Sequence, residues 1–271
     1  MRKKWIIHLI LLIAIAQAKA QEPASDHGRF IEINGATLYY EEYGEGKPLL
    51  LLHGFGRTAT DWHPFINDFA THFRVIAWDM RGYGRSRNPD TGIVFRHSTA
   101  AEDLLELMDV LKLDQVSSIG LSSGGIIILQ AAVMQPDRFE TIIPVSAQTY
   151  FSVETREFIE NNSKPETYYE YSDGEILHGE ENGMQLARQF YNFSKLKGDP
   201  AITPDQLVEI KARALIVHGN NDFVPVSQAW EMFQNIPNAS LFIVPDGWHM
   251  PHLGEYNSDD FKRRTLEFLT K

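Results

Sequence analysis

The feature that most constrains the fold is a set of short, mostly apolar runs that alternate with helical patterns along the chain. Runs of this kind, rich in Val, Ile and Leu, are typical of strands buried on both faces of a sheet. Alternation of such strands with helices predicts an α/β fold, with a mostly parallel central sheet and helices on both faces. The runs are Pro48–His53, Phe73–Asp79, Val116–Leu121, Thr141–Ser146, Ala214–His218 and Ser240–Val244.

Two local patterns add further elements. The pair Asn34-Gly35 lies between two alternating segments, Arg29–Asn34 and Thr37–Tyr43, and predicts a β-hairpin at the start of the domain. The segment Thr99–Leu111 has apolar residues at helical spacing. Its first residue, together with Glu102, predicts a capping box at the start of this helix.

The first 20 residues have the pattern of a secretory signal peptide. Three basic residues precede an apolar run, Trp5–Ala16, and the segment ends in Ala18-Lys19-Ala20. The apolar run is shorter than the roughly 20 residues that span a bilayer. We therefore expect cleavage after Ala20, which predicts an exported protein, periplasmic or secreted. Its single domain would cover residues 21–271, with no stable membrane anchor.

The charge balance and the absence of cysteine exclude several classes of protein. The chain has 25 basic and 36 acidic side chains, a net charge of −11, which argues against nucleic acid as the main partner. With no cysteine, disulfides, cysteine nucleophiles, zinc–thiolate sites and iron–sulfur clusters are excluded. The sequence has neither an H-E-x-x-H motif nor an acidic calcium loop, so we expect no metal and no cofactor. No pattern predicts an oligomeric state.

Residues 147–205 interrupt the alternation, because they contain no convincing buried strand. They carry nine aromatic residues, with 5 basic and 11 acidic side chains. We interpret them as a short helical insertion that forms a lid over a pocket at the carboxyl edge of the sheet, where α/β folds bind ligands. The aromatics indicate either an apolar acyl or alcohol pocket or simply the packing of the lid, and the acidity disfavours anionic substrates.

The segment Gly120-Leu121-Ser122-Ser123-Gly124 has the G-x-S-x-G pattern. It follows a predicted strand and precedes an apolar helix, which is the setting of a sharp turn that exposes a nucleophilic serine. The glycines avoid backbone clashes in such a turn, and Gly125 adds a small residue for packing between helix and strand. The pattern therefore predicts Ser122 as a nucleophile.

A serine nucleophile needs a base, and the base needs an acid that orients it. Asp222 and His249 each lie just past a predicted strand, so the carboxyl edge of the sheet would bring both close to Ser122. His252 is the serious alternative for the base. Asp246 is an alternative for the acid, although an aspartate next to glycine is more typical of a turn.

An oxyanion formed at an attacked carbonyl needs hydrogen-bond donors. The backbone N–H of Ser123 is one candidate, because this residue follows the nucleophile. The loop His53-Gly54-Phe55-Gly56 follows a predicted strand, and the N–H of Phe55 is the second candidate. We interpret His53 as a side chain that braces this loop rather than as a base.

Taken together, these segments resemble the α/β-hydrolase family over roughly residues 30–269, apart from the insertion. The resemblance implies Ser122 as nucleophile, His249 as base and Asp222 as acid, with Phe55 and Ser123 as oxyanion donors. The dehalogenases and epoxide hydrolases of the family carry aspartate at the nucleophile position, so serine counts against both activities. The matching segments are His53-Gly54-Phe55, Asp79-Met80-Arg81-Gly82-Tyr83-Gly84-Arg85-Ser86, Gly120–Gly124, Asp222 and Gly247-Trp248-His249.

The sequence thus predicts an exported serine hydrolase that cleaves a small carboxylic ester or related acyl compound through an acyl-serine intermediate. The same residues also permit cleavage of carbon–carbon bonds, or formation of peracids as in haloperoxidase-like perhydrolases. A non-catalytic ligand binder is a further alternative, because a fold does not fix a function.

A nicotinamide-dependent oxidoreductase is the least favoured alternative. The segment Gly54–Ala59 fits G-x-G-x-x-A after a strand, and Asp79 ends the next strand. However, Asp61-Trp62-His63-Pro64 places polar residues and a proline where the helix of a dinucleotide fold should continue.

Overall fold

The computed structural model describes residues 27–89, 95–193, 195–254 and 257–271. The predicted signal peptide over residues 1–20 lies outside the described residues.

The described residues form one eight-stranded sheet with the order β1-β2-β4-β3-β5-β6-β7-β8. Strands β1 and β2 pair antiparallel, as do β2 and β4, and every other neighbouring pair is parallel. The mostly parallel sheet predicted from the apolar runs is therefore confirmed. The strands are β1 Gly28–Ile33, β2 Ala36–Tyr43, β3 Lys47–Leu52, β4 Phe73–Asp79, β5 Val116–Leu121, β6 Phe139–Val145, β7 Arg213–Gly219 and β8 Ala239–Val244.

Helices connect these strands and cover both faces of the sheet. In the part of the chain that the structure describes, they are α1 His63–Phe69, α2 His97–Val110, α3 Ser123–Met134, α4 Val153–Asn162, α5 Pro165–Tyr171, α6 Gly174–His178, α7 Glu180–Phe193, α8 Pro204–Leu207, α9 Val226–Asn235 and α10 Asn257–Leu269. Single 3₁₀ turns occupy Ala59–Trp62 and Pro136–Arg138.

The core is divided into two apolar layers by the sheet. Along β3, Leu50 and Leu52 belong to the layer that contains buried residues of α2, α3 and α9. Their neighbours Leu49 and Leu51 belong to the layer that contains buried residues of α1 and α10. Successive side chains of a strand point to opposite faces, so a run of four leucines serves both layers. This explains why the central strands are continuously apolar.

The amino-terminal hairpin forms where the sequence predicts it. Ile33 pairs with Ala36 across a two-residue turn. Both turn residues have positive φ, 45° at Asn34 and 74° at Gly35. Such angles are tolerated best by Asn and Gly, and they match the right-handed twist of the two strands.

The predicted capping box at the start of α2 is wrong. The helix begins at His97, two residues before Thr99, and Arg96 at the cap position makes no side-chain capping bond. The His97 N–H instead donates to the carboxylate of Asp199, 2.9 Å away and 102 residues later in the chain. A distant carboxylate thus satisfies one of the N–H groups that have no partner within the helix at its start.

The insertion between β6 and β7 is mostly helical, and it contains α4, α5, α6 and α7. An isolated bridge pairs Tyr150 with Ala201, near the two ends of the insertion. None of the helices in the described residues is long and apolar enough to cross a bilayer.

Candidate active site

Ser122 occupies a strained turn between β5 and α3. Its backbone angles are φ 51° and ψ −115°, outside the regions that a serine ordinarily adopts. A Cβ atom at Gly120 would lie 2.4 Å from the Gly124 carbonyl carbon, and one at Gly124 would lie 2.5 Å from the Leu52 carbonyl oxygen. Only glycine fits at both positions. The backbone around Ser122 is therefore held by β3 as well as by its own strand.

Ser122, His249 and Asp222 form a hydrogen-bonded chain across three strand ends. His249 Nε2 lies 2.9 Å from Ser122 Oγ. His249 Nδ1 lies 2.9 and 3.0 Å from the two carboxylate oxygens of Asp222. A carboxylate only accepts, so Nδ1 carries the proton, and Nε2 is free to accept the Ser122 O–H. The structure thus brings together the three residues that the sequence singles out, as the loops after β7 and β8 meet the turn after β5.

The Asp222 carboxylate is buried but well supplied with partners. Its side chain is 0% exposed. Burial raises its pKa, but the charge and the hydrogen bond of His249 lower that pKa by more, so it lies below the usual value. The Val224 N–H donates a further bond to Asp222 Oδ1 at 3.0 Å. Asp222 is therefore an ionised acceptor at neutral pH.

His218, at the end of β7, braces this acid turn and was not predicted from the sequence. Its Nε2 lies 2.9 Å from the Val224 carbonyl oxygen, to which it donates. Burial lowers the pKa of His218, so its imidazole is neutral. The sequence does show a histidine at the end of the strand that precedes Asp222. However, the partner of His218 lies in a loop whose conformation no sequence pattern predicts.

The two alternative residues lie elsewhere. His252 is fully buried, stacks on Trp62 with ring centroids 5.2 Å apart, and has no hydrogen-bond partner among the described residues. Asp246 is exposed and has a φ of 54°, as expected for a turn residue. Neither geometry fits the role of base or acid beside Ser122.

Comparisons with known proteins place the chain in a family. The family model of the alpha/beta hydrolase fold matches residues 47–171. The serine hydrolase BPHL of Homo sapiens is 32% identical over 257 residues, which cover 88% of this chain and 85% of the human protein. The chain belongs to the α/β-hydrolase fold family.

Two further comparisons agree with this assignment. The 2-hydroxy-6-oxo-6-(2'-aminophenyl)hexa-2,4-dienoic acid hydrolase of Metapseudomonas resinovorans is 25% identical, with 90% of this chain and 91% of that protein covered. The crystal structure of a hydrolase from Pseudomonas aeruginosa PA01 has the same fold, with a TM-score of 0.76, 22% identity, and coverage of 92% of this chain and all of the other. The relatives are enzymes, and this chain is an α/β-hydrolase enzyme.

The loop after β3 lies against Ser122 in this α/β hydrolase. A Cβ atom added to Gly54 would lie 3.5 Å from the Ser122 Cβ. His53 is fully buried, and its Nδ1 donates to the Gly54 carbonyl oxygen at 2.7 Å. Its Nε2 accepts the Met80 N–H at 3.0 Å, so the ring fixes the loop to the end of β4. His53 is thus a bracing residue, as predicted, and Phe55 follows directly after the glycine that lies near the nucleophile.

The same loop argues against a dinucleotide site. The Asp79 carboxylate accepts the Ala59 N–H at 2.8 Å and the Arg85 N–H at 2.9 Å. Its exposed fraction is 0%. Asp79 therefore holds two loops together inside the protein, rather than facing a ribose, and the oxidoreductase interpretation is wrong.

Aromatic side chains connect the insertion to the active-site loops of the hydrolase. Phe158 of α4 stacks on Phe223 at 3.9 Å between ring centroids, and Phe223 lies 4.3 Å from the His249 ring. Phe55 packs against Phe190 and Phe193 of α7, at 5.0 and 5.9 Å. The insertion aromatics therefore serve partly as packing, while some of them lie next to the reactive residues.

His178, at the end of α6, fastens the insertion to two glycine loops. Its Nδ1 accepts the Gly84 N–H at 2.8 Å, and its Nε2 donates to the Gly56 carbonyl oxygen at 3.0 Å. Burial lowers the pKa of His178 to about 4. The ring is therefore neutral in the tautomer that makes both bonds. The sequence did not indicate this residue, because its partners lie 94 and 122 positions away.

Proposed function

We propose that this enzyme hydrolyses small carboxylic esters or related acyl compounds through an acyl-serine intermediate. The observation that carries the proposal is the 2.9 Å contact between Ser122 Oγ and His249 Nε2, together with the Asp222 carboxylate on the other ring nitrogen. Hydroxyl, imidazole and carboxylate in this order make a weak nucleophile reactive.

Acylation begins when Ser122 Oγ attacks the carbonyl carbon of the substrate. His249 Nε2 takes the hydroxyl proton, and Asp222 stabilises the imidazolium that results. The tetrahedral intermediate then collapses, the carbon–oxygen bond to the alcohol breaks, and His249 returns the proton to the leaving alkoxide. The products of this half-reaction are an alcohol and an ester between the acyl group and Ser122.

Deacylation repeats these steps with water. His249 removes a proton from water, whose oxygen attacks the acyl carbon, and the bond to Ser122 Oγ breaks. The proton returns to Ser122, and a carboxylic acid leaves. In both half-reactions we assign the oxyanion to the N–H groups of Ser123 and Phe55. The proximity of Gly54 to Ser122 supports this assignment, because a Cβ atom added to Gly54 would lie 3.5 Å from the Ser122 Cβ, which sets the Phe55 loop beside the nucleophile.

An apolar acyl or alcohol group is the substrate feature that the surroundings favour. Phe55, Phe158, Phe190 and Phe223 are half-buried and lie next to the reactive residues or to one another. The excess of acidic side chains in the insertion disfavours anionic substrates. Neutral esters with an apolar side chain therefore fit best.

Cleavage of a carbon–carbon bond is the second candidate. The full-length similarity to a hydrolase of a 2-hydroxy-6-oxohexa-2,4-dienoate supports it. The same attack by Ser122 on a ketone carbonyl would break the adjacent carbon–carbon bond. The carbon leaving group would then take the proton, and water would release the acyl group as an acid.

A fluorophosphonate probe and a substrate panel test this proposal. We expect covalent labelling of Ser122, and turnover of p-nitrophenyl esters that rises with acyl chain length and falls for a charged analogue. Ser122→Ala should lose both labelling and turnover, with at least a thousandfold drop in kcat expected for loss of the nucleophile. Full turnover in Ser122→Ala would contradict the mechanism. Turnover of a 2-hydroxy-6-oxohexa-2,4-dienoate in preference to every ester would favour the second candidate.

We also propose that the enzyme is exported. The basic start, the short apolar run and the Ala18-Lys19-Ala20 ending support this. Expression of the full chain in a bacterium, followed by cell fractionation and amino-terminal sequencing, tests it. A mature chain that begins at Gln21 in the periplasm or medium is expected, whereas an uncleaved chain in the cytoplasm would contradict export.

A further inference from the structure

A second hydrogen-bonded series of serine, histidine and aspartate lies beside the Ser122–His249–Asp222 series. His97 is the first residue of α2, Ser123 is the first residue of α3, and Asp199 lies near the end of the insertion. His97 Nδ1 lies 3.3 Å from Asp199 Oδ2, which also accepts the His97 N–H at 2.9 Å. His97 Nε2 lies 3.2 Å from Ser123 Oγ. All three residues are buried.

The hydrogen bonds between Asp199, His97 and Ser123 have a defined direction. Burial raises the pKa of Asp199, but the hydrogen bonds and charge of His97 lower that pKa by more, so the carboxyl is ionised. It therefore accepts the Nδ1–H of His97. With a proton on Nδ1, Nε2 is placed to accept the Ser123 O–H at 3.2 Å, and this bond fixes the rotamer of Ser123.

The surroundings of His97 hold the ring in place. Phe95, Phe151 and Phe193 contact it with ring centroids 5.1, 6.2 and 5.2 Å away. Hydrogen bonds in such an apolar setting are stronger than in water, and loss of one partner leaves another buried polar group unpaired.

The hydrogen bonds between Ser123, His97 and Asp199 join the end of the insertion to the start of α3. The Ile202 N–H donates to the Thr149 carbonyl oxygen at 2.9 Å, which fixes the segment after Asp199 to the segment that leaves β6. At the other end, Ser123 directly follows the nucleophile. His97 is therefore the link between the insertion and the residue whose N–H we assign to the oxyanion.

We propose that His97 is a positioning residue that holds Ser123, and with it the oxyanion donor, at a place set by the end of the insertion. This inference rests on the proposed function. The oxyanion is absent from the bound substrate and develops in the transition state that leads to the tetrahedral intermediate, so His97 acts on kcat and not on KM. A displacement of about 1 Å at such a donor can cost roughly a hundredfold in rate.

Ester kinetics of His97→Ala, with kcat expressed per site labelled by the fluorophosphonate, test this role. Because unfolded protein is not labelled, it does not enter the number of active sites by which the rate is divided. We expect a ten- to hundredfold loss of kcat, with KM within about twofold. His97→Gln should recover part of the loss, because its amide can donate to Asp199 and accept from Ser123. The exposed residues His72 and Asp205 supply the controls, and His72→Ala and Asp205→Asn should match the wild type.

The outcomes separate the two proposals. If the wild type is labelled and hydrolyses esters, but His97→Ala keeps its kcat per labelled site, the positioning role is wrong and the proposed function stands. A change confined to thermal stability or to KM overturns the role equally. If His97→Ala does not fold, Asp199→Asn and His97→Gln are measured instead, and wild-type kcat in both overturns it. If the wild type is not labelled at Ser122, the proposed function fails and this role fails with it.

Discussion

Asp222 shows most directly how one side chain controls the proposed chemistry. Its carboxylate contacts His249 Nδ1 through both oxygens, so it selects the tautomer with a free Nε2. Asp222→Asn would present an amide N–H to that nitrogen and favour the opposite tautomer. We expect a loss of about 10⁴-fold in kcat with little change in fold. The measurement is ester turnover at saturating substrate.

Asp246→Asn is the matched control for this prediction. Asp246 is exposed and two residues from Trp248, yet it lies in a turn away from the hydrogen-bonded chain. The kcat of Asp246→Asn should equal that of the wild type. Retention of more than a tenth of the activity in Asp222→Asn would argue against Asp222 as the orienting acid.

Residues at strand ends were predictable, whereas the bracing residues in helices, whose partners are distant along the chain, were not. Ser122, Asp222 and His249 each follow an apolar run, and the carboxyl ends of parallel strands meet at one edge. His97 and His178 sit in helices, and their partners lie 26 to 122 residues away in the chain. No local pattern records such a pairing, so only the folded chain identifies these two histidines.

The turn between β5 and α3 depends on glycine for a steric reason. In Gly124→Ala, the new methyl group would lie 2.5 Å from the Leu52 carbonyl oxygen and 2.7 Å from that of His53. Both neighbours are backbone atoms, at the end of β3 and in the residue that follows it, and they cannot move aside cheaply. We expect a loss of more than 3 kcal/mol in the free energy of unfolding, the scale of severe core disruption. Urea unfolding of the purified variant measures it.

Gly198→Ala provides the comparison. Gly198 has a φ of 79°, but a Cβ there meets nothing within 4 Å. This variant should lose only about 1–2 kcal/mol, the cost of a left-handed alanine. Equal stability losses in the two variants would show that contact with β3 is not what requires glycine at position 124.

Polar contacts join the insertion to the loops beside the active site, and His178 makes two of them. His178→Ala would leave the Gly84 N–H and the Gly56 carbonyl oxygen without their partner. An unpaired buried group costs about 1–3 kcal/mol, and here the opening of the insertion can relieve that cost. We expect faster cleavage of residues 174–193 by trypsin or Glu-C, and faster amide exchange there.

Ile176→Ala, on the same helix, is the control, because Ile176 is 80% exposed. It should leave both cleavage and exchange unchanged. If His178→Ala also behaves like the wild type, the two hydrogen bonds of His178 are not what holds the insertion in place.

Element boundaries followed from the sequence wherever the cause is local. The hairpin turn and the strands were predicted to within two residues, since apolar runs and the Asn34-Gly35 pair determine them. The start of α2 was not, because the partner of its first N–H group is Asp199, near the far end of the insertion. The insertion was recognised by its missing strand, but its stacking on Phe223 depends on tertiary packing.

Across the whole molecule, buried histidines make folding depend on pH. Burial lowers the pKa of His178 and His252 to about 4, and it also lowers the pKa values of His53 and His218. The unfolded chain binds protons at these rings from about pH 6.5 downwards, while the folded chain does not. These contributions to stability are therefore present above the unfolded pKa of about 6.5 and are lost as the pH drops towards 4. For His178 and His252 the loss between pH 7 and 5 is about 2 kcal/mol each.

Carboxylates contribute to the pH dependence of stability at lower pH. The pKa of Glu41 is lowered to about 2: burial raises it, but the hydrogen bond from His63 and the charges of His63 and Arg85 outweigh burial. Its stabilisation is thus present above about pH 4.5 and is lost only as the pH falls towards 2. The decline between pH 7 and 5 therefore belongs to the histidines.

His252 allows this account to be tested without touching the proposed chemistry. Its ring packs against Trp62, Phe65 and Phe261, with no hydrogen-bond partner in the described part of the chain. His252→Phe keeps an aromatic ring there and removes the proton-binding group. We expect the difference in unfolding free energy between pH 7 and pH 5 to shrink by about 2 kcal/mol. Urea titrations at both pH values measure it. An unchanged difference in His252→Phe would mean that His252 is not held neutral in the fold.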